Sequence, residues 1–241
     1  MEKNTCLAIP QEGGRYELHH STQMPSAAQG FIAGAIGLKS QEKLQIICRR
    51  LGGAFGGKAT KNIPTGMAAT ICAKKLRRPV KLCNSIAQDM MMAGNARHPM
   101  IIKWKLAADR TGRVQAIDVT SYVDAGCSED FSDFIAGEML ENIESVYQVA
   151  NYRSTVFLLK TNTASNTAVR APGLVQAVAV TETMMDELAA TMSLDKEEVR
   201  ERNLMTATHC TPAIKGEGEQ NSPPTCARAL CTTGVATHTY I

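Results

Sequence analysis

The chain has 241 residues, 44% of them hydrophobic, enough to bury one substantial core or two small ones, and the composition is that of neither a disordered nor a repeat protein. A net charge of +3 with 5% aromatic residues argues against a nucleic-acid partner, which would call for a basic surface and stacking platforms. Met1 to Pro10 shows no basic stretch leading into an apolar run, and the longest apolar stretch, Met67 to Ala73, falls far short of a membrane span, so the expectation is a cytoplasmic protein with no membrane partner.

Thr5 to Ile9 and Arg15 to Leu18 read as strands of a hairpin around Gln11 to Gly14. His19 and His20 lack a third ligand nearby and are expected to be solvated or capping groups. After Ser21-Thr22-Gln23, Pro25 opens a helix with Ala27, Ala28, Phe31, Ile32, Ala35 and Ile36 on its apolar face, and Gly37 stops it. Leu44 to Cys48 is a short buried strand, and Thr65 to Leu76 is a helix with Met67, Ala68, Ile71, Cys72 and Leu76 for its apolar face. Pro79 to Cys83 is a further strand; the methionines of Asp89-Met90-Met91-Met92 are expected in the core. Met100 to Ala108 and Val114 to Val123 form a long antiparallel hairpin with Ile102, Trp104 and Leu106 inward. A helix over Phe134 to Ser145, a strand over Tyr152 to Leu159 and a helix over Leu174 to Thr191 follow. Asp195 and Glu198 then cap a last helix ending near Leu204.

The eight cysteines include no Cys-x-x-Cys pair and no histidine at zinc-finger spacing, so most are expected to be buried reduced thiols, with no iron–sulfur ligand set. From Ala207 to Ile241 only Ile214, Leu230, Val235 and Ile241 are large aliphatics. The expected domain therefore covers residues 1–205, with 206–241 a disordered tail.

Between the strand at Leu44 and the helix at Thr65 lies Gly52-Gly53-Ala54-Phe55-Gly56-Gly57-Lys58. Its glycines permit positive φ and close approach of backbone to a ligand, and exposed amides in such a turn can bind an anion. The stretch fits a plain turn, a phosphate-binding loop or a cofactor cradle. As a nucleotide-binding P-loop it has Gly52, Gly57 and Lys58 at the required spacing but fails at Ala59, where a Mg²⁺-ligating hydroxyl belongs; Thr60 comes one residue late.

Arg49-Arg50-Leu51-Gly52-Gly53-Ala54-Phe55-Gly56-Gly57-Lys58 is similar to the GGxFGGK signature of the molybdenum hydroxylases, the aldehyde oxidase and xanthine dehydrogenase family. Two further segments resemble that family in the same order. Asp89, Met90, Gly94, Arg97, His98 and Pro99 match a D-M-x-x-x-G-x-R-H-P motif, and Lys160 to Gln176 matches K-T-N-x-x-S-x-T-A-x-R-x-x-G-x-x-Q. The resemblance runs from about Met1 to Met205. It implies a mixed α/β fold, the first molybdopterin-binding region, and molybdenum-molybdopterin as cofactor.

By that resemblance the cofactor-binding residues are Gln23, near an oxygen on the metal, Phe55 and Gly56 against it, and Arg170 beside it, with no direct metal ligand. The implied reaction is hydroxylation of an aldehyde or N-heterocycle with water-derived oxygen. The family's catalytic glutamate lies in a G-x-G-E-S-like segment that this sequence does not contain. The chain is thus expected to be a fragment or subunit inactive by itself, with FAD and 2Fe-2S clusters only in the complete enzyme and a homodimer or assembly as its working form. The alternatives are a non-catalytic truncated paralogue and a degenerate P-loop nucleotide binder. Three substrate-pocket positions carry Ala59, Glu138 and Pro172, where purine oxidisers of the family carry glutamate, arginine and phenylalanine; this favours aldehydes over xanthine.

Overall fold

A computed structural model describes residues 2–93, 97–206 and 235–240. It divides into two units, each with its own sheet: one from Met1–His98, Ala125–Phe131 and Lys160–Arg170, the other from Pro99–Asp124, Ser132–Leu159 and Ala171–Ile241.

The first unit opens with the expected hairpin, β1 (Thr5–Gln11) against β2 (Arg15–His20), with Cys6 opposite His20 and Gln11 opposite Arg15. After α1 (Pro25–Ala35), β3 (Leu44–Ile47) joins parallel to β2; after α2 (Ile63–Leu76), β4 (Val80–Cys83) joins antiparallel to β1, giving the order β3-β2-β1-β4. Strand alternation turns Cys6 and Ala8, and Tyr16, Leu18 and His20, to the inside, where the apolar ones join Ala28, Ile32 and Ala33 of α1 in one core. The buried face of α2 departs from the expected one. Ile63, Thr65, Gly66, Ala69, Thr70 and Ala73 are inside, while Ala68, Ile71, Cys72 and Leu76 are exposed. Small residues win here because the helix lies close to its neighbours: a Cβ on Gly66 would meet Ile32 Cδ1 at 2.7 Å and His20 Nε2 at 3.1 Å. On α1, likewise, Phe31 is exposed and Ile32 buried.

Three further expectations are corrected in this unit. His20 is buried, 2% exposed, because strand alternation places it inside; only His19, bonded to Glu17, reaches the surface. On α3 (Ile86–Ala93) Met90, Met91 and Met92 are exposed, because this short helix presents them away from the core. Of the described cysteines only Cys6 is buried, and its thiol is pushed up to about 12 by that burial; Cys210, Cys226 and Cys231 lie outside the described residues.

In the second unit β5 (Met100–Ala108) pairs with β6 (Val114–Gly126), Trp104 opposite Val119, around a turn in which the Asp109 carboxylate accepts from the amides of Thr111 and Arg113. With β7 (Asn151–Lys160) and β8 (Val235–Tyr240) the order is β7-β6-β5-β8. Helices α4 (Ser132–Asn142), α5 (Leu174–Met192) and α6 (Lys196–Asn203) supply Met139, Met184, Met185, Leu188 and Val199 to a core with Trp104, Leu106, Ile117 and Val119. Asp195 caps α6, its carboxylate accepting from the amides of Glu197 and Glu198. The expected tail over 206–241 lies mostly outside the described residues. Within it, Val235–Tyr240 forms a strand antiparallel to β5.

Candidate functional site

The glycine loop leaves β3 and runs to α2 within the first unit, and its backbone is held in conformations that explain its glycines. Gly53 and Gly56 have φ of +89° and +90°, and between them Phe55 sits at +49°, an uncommon region for a bulky side chain. A Cβ on Gly56 would lie 2.1 Å from the Ala168 carbonyl oxygen, so only glycine admits the 164–170 segment at this distance. The Phe55 ring is 57% exposed.

Gln23 follows β2 and is stitched to this loop. Its amide donates to the Lys58 carbonyl at 3.0 Å, and its Oε1 accepts from the amides of Gly56 at 3.0 Å and Lys58 at 3.3 Å. With the side-chain oxygen engaged, the Gln23 NH₂ group is left as a donor with no acceptor among the described residues. Arg170 reaches the same place: its amide donates to the Phe55 carbonyl at 2.9 Å, and its guanidinium carbon stands 6.0 Å from the Phe55 ring centroid. The Arg170 amide is therefore engaged, and its guanidinium is the part presented outward. The structure thus brings together Gln23, Phe55, Gly56 and Arg170. Ala59, in the same unit, is buried, with its amide donating to the Gly56 carbonyl. Glu138 and Pro172 belong to the second unit, where Glu138 on α4 packs so closely on the neighbour of Pro172 that a Cβ on Gly173 would come within 2.7 Å of Glu138 Cβ.

Several residues that hold the site were not singled out by sequence reasoning. Arg97, noted only as a motif position, donates from Nη2 to the Arg170 carbonyl at 2.9 Å, and Asp89 of the same motif accepts from the Asn4 amide at 2.7 Å and from Asn84 Nδ2 at 2.8 Å. Asp130 accepts from Thr60 Oγ1 at 2.8 Å and Thr167 Oγ1 at 2.7 Å and lies 3.4 Å from Lys61 Nζ, tying the loop's far end to the 164–170 segment. The Thr60 hydroxyl, one residue late for a P-loop, has this use instead. Lys58 also departs from the P-loop reading. Its side chain is 1% exposed and directed at Glu2, with Nζ 3.6 Å from the Glu2 carboxylate, so it is not presented to a phosphate. Beside it, His20 is held below its ordinary value by burial and by the Lys58 charge, against the opposing bond to the Thr5 carbonyl. Cys127, exposed, is lowered by its hydrogen bond with Ser165.

Residues 1–204 match the family described as the molybdopterin cofactor-binding domain. The chain belongs to that family. This molybdopterin-binding domain is 35% identical over 213 residues to a nicotinate hydroxylase of Emericella nidulans, covering 88% of this chain and 16% of that protein. It is 36% identical over 206 residues to an indole-3-acetaldehyde oxidase of Arabidopsis thaliana, covering 86% and 15%, and 34% identical over 220 residues to the xanthine dehydrogenase/oxidase of Rattus norvegicus, covering 90% and 16%. The domain thus spans about one sixth of the length of the relatives it matches. Among solved structures, the aldehyde oxidoreductase of Desulfovibrio gigas superposes with a TM-score of 0.78 at 25% identity, covering 87% of this chain and 23% of that one. The carbon monoxide dehydrogenase of Oligotropha carboxidovorans shares the fold at a TM-score of 0.74 and 22% identity, covering 85% and 26%.

The residues of the domain fit the cofactor on their own chemistry. An outward NH₂ donor on Gln23 and a guanidinium on Arg170 suit an anionic group rich in oxygen acceptors, and the exposed Phe55 ring offers it an apolar wall. Among the described residues no group of three or more His, Cys, Asp or Glu side chains could hold a metal ion.

Proposed function

We propose that this chain is the cofactor-holding part of a longer oxidoreductase that hydroxylates aldehydes with water-derived oxygen, aldehyde oxidase-like rather than xanthine dehydrogenase-like. The observation that carries the reading is the engagement of Gln23 Oε1 by the Gly56 and Lys58 amides, which fixes the side chain so that its NH₂ group alone remains to donate. When bound, the cofactor supplies the centre at which the substrate carbon gains oxygen and its electrons are taken up. The chain's own residues bind and orient: Gln23 donates to an oxygen of the cofactor, Phe55 and Gly56 form its wall, and Arg170 balances negative charge beside it.

The aldehyde preference rests on Ala59, Glu138 and Pro172 standing where purine oxidisers of the family have glutamate, arginine and phenylalanine. A purine would then lack both polar partners and its stacking wall, and unmatched polar groups discriminate strongly. The base, FAD and 2Fe-2S clusters belong to the rest of the longer protein, which works as a homodimer or assembly. The test is turnover by that longer protein, with the 241-residue chain as control. We expect kcat/KM for an aromatic aldehyde to exceed that for xanthine by at least about 10²-fold, and the short chain to retain molybdopterin without turnover. Xanthine turned over as well as aldehyde overturns the substrate assignment. Absence of molybdopterin from both purified proteins overturns the cofactor site, and aldehyde turnover by the short chain overturns the placement of the base elsewhere.

A further inference from the structure

Glu2 belongs to none of the three motifs, yet it touches the glycine loop at both ends. Its amide donates to the Gly52 carbonyl at 2.9 Å, its Oε2 accepts from the Gly52 amide at 2.7 Å, and the same oxygen lies 3.6 Å from Lys58 Nζ. The fit is close: a Cβ on Gly52 would come within 2.8 Å of Glu2 Cβ, which accounts for that glycine without any ligand. Lys58 is 1% exposed, and its Nζ makes no hydrogen bond among the described residues, so Glu2 supplies the negative charge facing it. The backbone of Lys58 is in turn what Gln23 is bound to, through the Gln23 amide to the Lys58 carbonyl and the Lys58 amide to Gln23 Oε1.

We propose that Glu2 is a positioning residue for the cofactor loop: by holding Gly52 and the buried Lys58 on one carboxylate, it fixes Lys58, and through Lys58 the orientation of the Gln23 amide. The Gly52 hydrogen bond and then the Lys58 charge keep the Glu2 carboxyl below its ordinary value, against the opposing effect of desolvation. Without the carboxylate charge an ammonium closed off from water has no counter-ion among the described residues, and Lys58 moves toward solvent, carrying with it both backbone bonds to Gln23. The link to cofactor rests on the function proposed above; the link to loop geometry does not.

Two readouts on the 241-residue chain, purified from cells that make molybdopterin, separate these links: amide hydrogen exchange at Gly56 and Lys58, and the molybdopterin retained. Glu2→Gln keeps an acceptor for the Gly52 amide and removes only the charge. We expect exchange at both amides to accelerate roughly tenfold or more and retained molybdopterin to fall, and Lys58→Met added to Glu2→Gln to restore both by removing the stranded ammonium. Unchanged exchange in Glu2→Gln, or faster exchange that Lys58→Met does not reverse, overturns the proposal. Faster, reversible exchange with molybdopterin content unchanged upholds the clasp and overturns the cofactor role of the loop. Should Glu2→Gln alone fail to fold, a folded Glu2→Gln/Lys58→Met chain with native exchange upholds the charge coupling, and an unfolded one overturns it.

Discussion

Glu144 offers the most direct test of the energetics of the second unit. It lies just beyond α4, 3% exposed, and neither carboxyl oxygen has a hydrogen-bond partner among the described residues. Burial raises its carboxyl from 4.5 to about 7. In the unfolded chain the group ionises near its ordinary value, so between 4.5 and about 7 the folded state holds a proton that the unfolded state has released. Stability therefore falls as pH rises through this window and levels off above it, by about 3 kcal/mol in all. Glu144→Gln removes the titration while keeping shape. The assay is urea unfolding followed by fluorescence of Trp104, the one tryptophan of the sequence, which is buried in the same core as Ile143 and Tyr147. The difference in unfolding free energy between wild type and Glu144→Gln should change by about 3 kcal/mol from pH 4.5 to pH 8, with the variant the more stable at the alkaline end. Subtracting the variant cancels groups that do not interact with Glu144, and Tyr152, whose hydroxyl is pushed up to about 12 chiefly by burial and also by Glu144, titrates well above this window. A difference that stays flat with pH, or a variant less stable than wild type at pH 8, would refute the account of Glu144 as an unpartnered buried acid.

Gly56→Ala should destabilise the first unit by at least about 2 kcal/mol in thermal or urea unfolding, because the new methyl would need the space of the Ala168 carbonyl at a φ of +90°. The same variant should lose its molybdopterin on gel filtration; wild-type stability with full retention would show that the loop tolerates what its geometry forbids. Arg97→Met removes the donor to the Arg170 carbonyl while keeping much of the side chain's bulk, and should cost about 1 kcal/mol of stability and lower molybdopterin retention. Arg97→Lys should recover part of both, and a variant indistinguishable from wild type in both measurements would remove Arg97 from the site.

Much of the fold could be read from the sequence because local pattern and tertiary environment agree. The hairpin Met100–Ala108 to Val114–Gly126 alternates in sequence and in burial, and Asp195 caps its helix where its spacing to Glu198 predicts. The pattern misleads where packing distance decides. On α2 the larger apolar residues form a plausible face, but the helix lies so near Ile32 and His20 that Gly66, Ala69 and Ala73 are the residues that fit, and Ile71 and Leu76 are turned out. His20 shows the same limit: two adjacent histidines look alike in sequence, while strand alternation sends one to Glu17 at the surface and the other beneath α2. The site divides along the same line. Phe55, Gly56 and Arg170 come from motifs recognisable in one dimension and Gln23 from the same family resemblance, whereas the contacts of Glu2, Asp130 and Arg97 reach partners 50, 37 and 73 residues away in sequence, which no local spacing encodes.

The glycine loop shows why its letters alone leave the chemistry open. Gly52, Gly57 and Lys58 stand at the spacing of a phosphate-binding loop, and in such a loop the lysine is a free cation turned to the ligand. Here the lysine is turned inward onto Glu2, Thr60 is bound to Asp130, and α2 begins only at Ile63, so neither the cation nor the hydroxyl nor a helix N-terminus is presented. What the loop does present is the exposed Phe55 ring and, through Gln23, a single oriented amide donor. Three of its glycines then have separate structural causes: Gly52 admits Glu2, Gly53 makes room for the Phe55 ring, and Gly56 admits the Ala168 carbonyl. Each cause is a contact within the first unit, so the loop is shaped before any ligand arrives. A group bound there meets a surface already ordered, and less of its binding free energy goes into arranging the protein.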